Sequence, residues 1–367
     1  MRTSARPAAR WLAACTLAVA AAAPGPAAAQ PAAAPAATPA PRADVAVPFY
    51  TPVHALQALY SLHYLPRARA FADTSAALAT ALAAGCDAPA PRGLDTARAG
   101  WRNTMVAWES LSAVQFGPLV ERRSSRRIDF QPPRPELIAR AIQAAPAGEA
   151  GMARVGAPAK GLPALEWLLW TRPVAPRTAE CRFALAVARD LQREAALLAQ
   201  DFQALAERDW GEEAEAASTA FGEFINQWLG GIERLRWADI EKPVRSAEGR
   251  PVAWPRHASG HTALAWQARW QALQALSAGP ALPIGEGGVP IEAYLRGRGL
   301  NPLADALGTQ VAASGKAVAS LGDGAAPQAT AAPLAAAREL GALKSLIEKR
   351  VAPALEVAIG FSDADGD

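Results

Sequence analysis

The sequence has few of the residues and motifs on which enzyme active sites most often depend. It contains four histidines and three cysteines in 367 residues. A nucleophile elbow (G-x-S-x-G), a P-loop, a dinucleotide fingerprint and the H-E-x-x-H zinc motif are all missing. These absences exclude the commonest signatures of hydrolases, nucleotide-binding enzymes and zinc peptidases. Beyond the amino-terminal region no apolar run approaches the roughly 18 to 20 residues of a membrane span, so we expect no membrane-spanning helix.

The amino-terminal region has the pattern of a secretory signal peptide. Residues 1–11 carry three arginines and no acid, an apolar run follows, and AAAQ supplies a small-residue cleavage site after Ala29. Leu12 to Cys15 alone also fits a lipoprotein signal. Because Cys15 comes before an apolar region long enough for export is complete, cleavage near Ala29 is favoured over anchoring at Cys15. We therefore expect a signal peptide at 1–29, a flexible Pro/Ala-rich lead-in at 30–47 and a periplasmic location.

The charge and cysteine content of the mature chain exclude one class of partner and suggest one covalent link. Of 37 basic and 34 acidic residues, three arginines leave with the leader, so the mature chain carries 34 of each sign. A net charge of zero gives no support for a nucleic-acid partner. Cys86 and Cys181 remain, and an even pair in an exported protein predicts a disulfide.

Helical patterns dominate from Tyr50 onward, and convincing strand alternation is found nowhere. The segment from 117 to 135 has prolines and charges but no period, which indicates a loop. Long helices with modest connections predict an all-α fold of two packed helical bundles, at 48–210 and 211–367.

Residues 161–170, GLPALEWLLW, set Glu166 among leucines and tryptophans with no basic residue nearby in sequence. A buried carboxylate without a partner costs several kcal/mol, so something must compensate it. One explanation is a helix N-terminus, because Pro163 suits a first helical turn whose partial positive charge stabilises a carboxylate. The other is a polar site built with residues distant in sequence, and the two explanations can coexist.

Four segments together resemble the imelysin family, also called insulin-cleaving metalloproteinases, and its iron-regulated periplasmic relatives. GLPALEWLLW is similar to the family's G-x-H-x-x-E segment. Residues 101–118 resemble its Trp-rich helix ending in Phe-Gly-Pro, and residues 127–130 resemble the Arg-Ile-Glu/Asp-Phe loop of one branch. The closing GFSDADGD is similar to the family's G-F-N-x-x-D-G-D ending. The segments occur in family order, and the resemblance implies two helical bundles with a site between them.

The sequence departs from the family motif at Pro163, which stands where the motif has histidine. Histidine and glutamate three residues apart would lie on one helix face and could form half of a metal site. A zinc peptidase needs about three protein ligands and a water, and proline supplies none. We therefore expect no enzymatic activity, with a metallopeptidase or other hydrolase of the imelysin type as the alternative.

The resemblance places six residues in a ligand site between the bundles. They are Arg127, Asp129, Gly161, Pro163, Glu166 and Trp167. Within this site we expect Glu166 to face Arg127. His63 on the first helix occupies a place where this branch often has histidine, so Glu166 and His63 are the candidate metal ligands, although a core or surface histidine is the commoner role.

The resemblance also supplies the functional expectation. It implies a non-enzymatic periplasmic protein of iron homeostasis that binds a metal, a metal complex or a protein partner. Iron or another divalent metal would be the bound species, and periplasmic or inner-membrane iron-uptake proteins would be the partners. A docking protein for a membrane or redox partner is a further alternative.

Overall fold

The computed structural model describes residues 47–87, 94–322 and 329–360. Within these ranges all regular structure is helical and no strand is formed, which confirms the all-α prediction. None of the helices in these ranges combines the length and apolarity needed to cross a membrane. The predicted signal peptide (1–29), Cys15, the lead-in as far as residue 46 and the last seven residues lie outside the described residues.

The first half of the chain is built on one long, interrupted helix. It begins at Pro52, where the missing N–H is no loss, and the Thr51 side chain caps it by accepting from the His54 N–H. The elements of this half are α1 (Pro52–Ala58), a π-helical segment (Leu59–Tyr64), α2 (Leu65–Asp87), α3 (Asp95–Leu111), α4 (Pro118–Glu121), α5 (Ser124–Ile128), α6 (Pro135–Ala144), α7 (Gly148–Ala153), a 3₁₀ turn (Ala157–Ala159), α8 (Gly161–Glu166), a π-helical segment (Trp167–Thr171) and α9 (Ala179–Glu207). The predicted loop at 117–135 thus contains two short helices, α4 and α5.

The second half repeats the use of long helices with short connections. Its elements are α10 (Ala214–Glu233), a π-helical segment (Arg234–Glu241), α11 (Lys242–Ala247), α12 (Thr262–Ser277), α13 (Ile291–Gly297), α14 (Asn301–Ala319), α15 (Ala331–Leu346), a π-helical segment (Ile347–Val351) and α16 (Ala352–Ala354).

Each of these four π-helical segments ends two residues before a proline. The segments end at Tyr64, Thr171, Glu241 and Val351, and the prolines are Pro66, Pro173, Pro243 and Pro353. Proline cannot donate to the carbonyl four residues earlier, and its ring collides with that carbonyl. A wider preceding turn, with bonds between residues five apart, relieves the collision and lets the backbone continue. Before Pro66 this wider turn lies within the first long helix, which continues as α2.

The helices pack into one continuous apolar core. In the first half α2 packs against α3 and α9, and in the second half α14 packs against α12 and α15. The halves join directly, since α12 packs on α3 and α10 packs on α1. Large aromatic side chains from both halves are fully buried: Trp101, Trp108, Trp228 and Trp266. The described residues form one compact unit, and the predicted bundle boundary at residue 210 stays a prediction.

A disulfide links the first-half helices and confirms the cysteine prediction. Cys86, in the last turn of α2, is bonded to Cys181, in the first turn of α9, with 5.6 Å between their Cα atoms. Thr178 caps α9 by accepting a hydrogen bond from the Cys181 N–H at 3.2 Å, so the cap and the disulfide fix the same helix start.

Candidate functional site

A wide cleft of about 900 Å³ lies between segments of the two halves. The first half contributes parts of α3, the loop after α5, and α8 with the π-helical segment that follows. The second half contributes the π-helical segment before α11, α11 itself, the loop before α12, and α12. Three tryptophans line the cleft: Trp167, Trp254 and Trp266. A volume of this size falls in the range of roughly 300 to 1,000 Å³ that is typical of small-molecule sites.

Charged side chains line this cleft and form a group that is called the charge cluster below. It consists of four carboxylates and three guanidiniums: Glu109, Asp129, Glu166, Asp239, Arg234, Arg256 and Arg269. Arg256 lies at its centre, with Nη2 at 3.0 Å from Glu109 Oε1 and 2.7 Å from Asp129 Oδ2. Arg269 pairs through Nη2 with the other Glu109 oxygen and through Nε with Asp239 Oδ2 at 3.2 Å. Glu109 therefore bridges the two buried arginines.

Besides Arg256, three other side chains approach the carboxylate of Asp129. The Trp108 indole N–H donates to Asp129 Oδ2 at 3.1 Å, and the Gln131 amide donates to Oδ1 at 3.4 Å. Arg234 approaches the same Oδ2 at 3.9 Å and donates to Ser125 Oγ at 3.3 Å. Asp129 is buried, so this set of donors offsets the cost of keeping its charge away from water.

The buried pairs shift the pKa values of the cluster strongly. Burial alone raises the pKa of Glu109, but the attraction of Arg269, Arg256 and Arg234 outweighs it and lowers the value to about 2. Burial favours the neutral form of Arg256, yet Asp129, Glu109 and Glu166 together raise its pKa. Asp239 differs, because burial, together with the repulsion of Glu109 and Asp129, raises its pKa despite the attraction of Arg269 and Arg234. Glu109, Asp129 and Asp239 each pair with an arginine, and among them the pKa of Glu109 is lowered whereas that of Asp239 is raised.

The partner that Glu166 requires is supplied by the loop before α12. Glu166 Oε1 accepts a hydrogen bond from the Ser259 backbone N–H at 2.9 Å, and its charge contributes to the raised pKa of Arg256. Glu166 is the sixth and last residue of α8, so it lies beyond the first turn, where a helix N-terminus acts most strongly. The polar-site explanation therefore accounts for this carboxylate better than the helix-terminus explanation.

The expected ion pair between Glu166 and Arg127 was wrong. Arg127 Nη1 pairs with Glu194 Oε2 at 2.8 Å, and its side chain is 56% exposed. Glu194 is on α9 and also binds Arg122 Nε at 2.8 Å. α5 therefore directs Arg127 to Glu194, and Arg127 does not line the cleft; the arginine whose pKa Glu166 raises is Arg256.

In the GLPALEW segment, the backbone at Gly161 lies close to the backbone at Ile128. Gly161 has φ +76°, and a Cβ built on it would lie 2.3 Å from the Ile128 carbonyl oxygen. Only glycine therefore allows α8 to begin against the segment that carries Asp129. Pro163, in the first turn of α8, and Trp167, just after it, both line the cleft.

His63 lies in a different cavity and is not brought together with Glu166. It is buried on the π-helical segment before α2 and lines a smaller cavity of about 190 Å³. No group of three or more His, Cys, Asp or Glu side chains in the described ranges is placed to hold a metal ion. The structure therefore places the two candidate metal ligands, Glu166 and His63, in separate cavities.

The cleft residues do not fit a metal held by the protein, although the family motif implies one. Pro163 has no donor atom at the motif histidine position. Glu109 and Asp129 are occupied by arginines, and one oxygen of Glu166 by the Ser259 N–H. A bare cation would also have to displace Arg256, whose charge repels it.

Sequence reasoning missed most of the charge cluster, although a signal was present. Glu109 follows Trp108 on the apolar face of α3, and Arg269 lies in the run ALAWQARWQAL of α12. Arg269 is the one charged residue of α12, and Glu109 is the one charged residue in the last nine positions of α3, which is the same oddity that drew attention to Glu166. Such charges need partners of opposite sign, and pairing them by sign would have joined these helices.

Comparisons with known proteins agree with this architecture. The structure is similar to an imelysin-like protein from Psychrobacter arcticum 273-4, with a TM-score of 0.70 and 22% identity, over 86% of this chain and 100% of the other. It is also similar to an iron-regulated protein A precursor from Parabacteroides distasonis ATCC 8503, with a TM-score of 0.66 and 15% identity, over 81% and 93%. At these identities the likeness establishes the fold. None of the curated proteins matches significantly. The imelysin family profile matches residues 64–352, a range that contains the whole charge cluster, and the chain therefore belongs to the imelysin family.

Proposed function

We propose that this protein is an exported, non-enzymatic binding protein of iron homeostasis, and that the cleft is its ligand site. The observation that carries the proposal is the charge cluster, where buried carboxylates are bound by arginines rather than left free for catalysis or for a metal. The cluster is a rigid, charged surface at the base of a cleft with three tryptophans. Such a surface is suited to recognising a ligand rather than transforming one.

The charges around the cleft favour a metal complex over a bare metal ion. Five cationic side chains line it, against four carboxylates: Arg234, Lys242, Arg250, Arg256 and Arg269 against Glu109, Asp129, Glu166 and Asp239. Lys242 and Arg250 are exposed, and Arg234 is partly exposed, so they are within reach of a ligand. A complex whose own oxygen ligands hold the iron would present acceptors to these donors.

The place of action follows from two supports. Residues 1–29 have the features of a signal peptide, and one relative of known structure is described as a precursor of an iron-regulated protein. We propose that the mature protein acts in the periplasm, with periplasmic or inner-membrane iron-uptake proteins as partners. No specific observation favours the metallopeptidase alternative, which requires about three protein ligands to a metal.

Equilibrium dialysis of the mature, untagged protein against ferric citrate and against ferrous ion tests this function. We expect one iron per chain to be retained from ferric citrate and none from ferrous ion. Trp167→Ala, which removes a half-buried side chain from the cleft, should lose retention. Trp170→Ala removes a similarly half-buried indole that packs on Trp101 outside the cleft, and it should keep retention. Retention of iron by both variants, or by neither the variants nor the wild type, would refute the proposal.

A further inference from the structure

The cavity that contains His63 is separate from the cleft and shares no residue with it. One wall is a single face of the first long helix, at Ala55, Ala58, Leu59, Leu62, His63 and Arg67, which follow a helical spacing. The opposite wall comes from α10, α12 and the segment before α13, including the buried side chains Phe221, Phe224 and Leu276. At about 190 Å³ it is smaller than the roughly 300 Å³ at which drug-sized sites begin, so its occupant must be small.

The cavity carries one cation that is not neutralised. Arg67 is half-buried at its edge, and no carboxylate of the described residues lies within ion-pair distance of its guanidinium. Its Nη1 donates only to a neutral acceptor, the His63 carbonyl oxygen, at 2.9 Å. Neither aspartate nor glutamate lines the cavity. Burial lowers the pKa of Arg67, as expected for a cation removed from water without a counter-charge.

The ring of His63 is the second polar group in this wall. Burial, followed by the repulsion of Arg67, lowers the pKa of His63 well below its ordinary value, so the ring is neutral near pH 7 and keeps one N–H donor. Its ring nitrogens have no hydrogen-bond partner among the described residues, because the Arg67 contact uses the backbone carbonyl. The surrounding surface is aromatic and aliphatic.

We propose that this cavity binds a small carboxylic acid with a compact apolar body. The carboxylate pairs with the Arg67 guanidinium and accepts from the His63 ring N–H, while the apolar body lies against Phe221, Phe224 and Leu276. Binding transfers no proton and breaks no bond. It supplies the counter-charge that Arg67 lacks and covers apolar surface, so both parts of the ligand contribute to affinity.

Isothermal titration calorimetry with benzoate and its neutral analogue benzamide, on the mature protein, tests the proposal. We expect saturable binding of benzoate and at least tenfold weaker binding of benzamide, because a charge-assisted hydrogen bond is lost. Arg67→Met should weaken benzoate binding at least tenfold. Arg69→Met removes an exposed arginine two residues away and is the matched control, expected to bind as the wild type does.

A cavity-filling variant keeps the test decisive if Arg67→Met is poorly folded. Ala58 lines the cavity and is nearly buried, so Ala58→Leu should fill it and abolish benzoate binding while leaving Arg67 in place. Three results would each overturn the proposal: equal affinity for benzoate and benzamide, unchanged affinity in Ala58→Leu, or no saturable binding of benzoate, hexanoate or 3-phenylpropionate by the wild type. None of these bears on iron retention in the cleft, so the two proposals fail separately.

Discussion

Glu166 shows how far a single residue can be interpreted before its neighbours are known. Its position among leucines and tryptophans correctly indicated a buried carboxylate that requires compensation. The partner was misassigned because the compensating groups lie on the loop before α12, 93 residues away at Ser259. Arg127 was nearer in sequence, but α5 turns its side chain toward Glu194. The sequence indicates that a buried carboxylate needs a hydrogen-bond or charge partner, and the packing of distant segments determines which residue provides it.

A double-mutant cycle separates the two arginines. Glu166→Gln combined with Arg127→Gln should be additive within about 0.5 kcal/mol, since Arg127 pairs with Glu194 and Glu166 accepts from the Ser259 N–H. Glu166→Gln combined with Arg256→Gln should show a coupling of about 0.5 kcal/mol or more, because Glu166 helps to hold the charge of Arg256. Urea unfolding of the single and double variants measures both. Coupling with Arg127 and additivity with Arg256 would contradict the structure.

Glu109 predicts a specific acid sensitivity. Its folded pKa is about 2 against an ordinary value of 4.5, so the stability that it contributes is fully present above pH 4.5 and is lost as the pH falls to about 2. We expect the free energy of unfolding to decrease across this window, as measured by urea titrations at successive pH values. Glu109→Gln should flatten the decrease, whereas Glu136→Gln, an exposed control, should leave it unchanged. An equal dependence of the unfolding free energy on pH in wild type and Glu109→Gln would contradict the ion pairs of Glu109 in the charge cluster.

At the scale of elements, the position of the first residue of α8 requires glycine, because there is no room for a Cβ atom at Gly161. Gly161→Ala would place a Cβ 2.3 Å from the Ile128 carbonyl oxygen in a backbone conformation with φ +76°. Both effects destabilise, so we expect a loss of about 2 to 4 kcal/mol in unfolding free energy. Gly222→Ala is the matched control, since it lies within α10 with nothing within 4 Å of the new Cβ. That control should be neutral or stabilising by up to about 1 kcal/mol, and a loss equal to that of Gly161→Ala would contradict this account.

Helix positions were more predictable than helix partners, and the reason is physical. Periodicity, caps and prolines are local, so the helical patterns expected from Tyr50 onward appear as long helices such as α12 (Thr262–Ser277) and α14 (Asn301–Ala319). The four prolines that follow π-helical segments are equally visible in the sequence. Packing depends on contacts between distant residues, and α3 against α12 is such a case. The charge cluster arises from that packing, which is why it escaped local patterns.

At the scale of the whole molecule, the disulfide defines a covalent state that can be counted. The full sequence has three cysteines, and Cys86 and Cys181 are bonded to each other. Thiol titration of the denatured, unreduced protein should therefore find no free thiol after cleavage near Ala29 and one, at Cys15, in the precursor. Reduction should lower the unfolding free energy by about 3 to 5 kcal/mol, given the 95-residue separation of the two cysteines. Two free thiols in the mature protein would refute the bond.

The disulfide also determines how the chain extends when force is applied to its ends. Cys86 and Cys181 close a ring of chain that contains Glu109, Asp129 and Glu166, while the arginines of the charge cluster all lie outside it. Tension applied to the chain ends cannot extend the ring, so in single-molecule pulling about 300 Å of contour, estimated from 95 residues, should appear only after a reductant is added. Under load the looped segment with Glu109, Asp129 and Glu166 would stay closed while the segment with Asp239 and the three arginines is extended, so three of the four carboxylates would be separated from every arginine of the charge cluster.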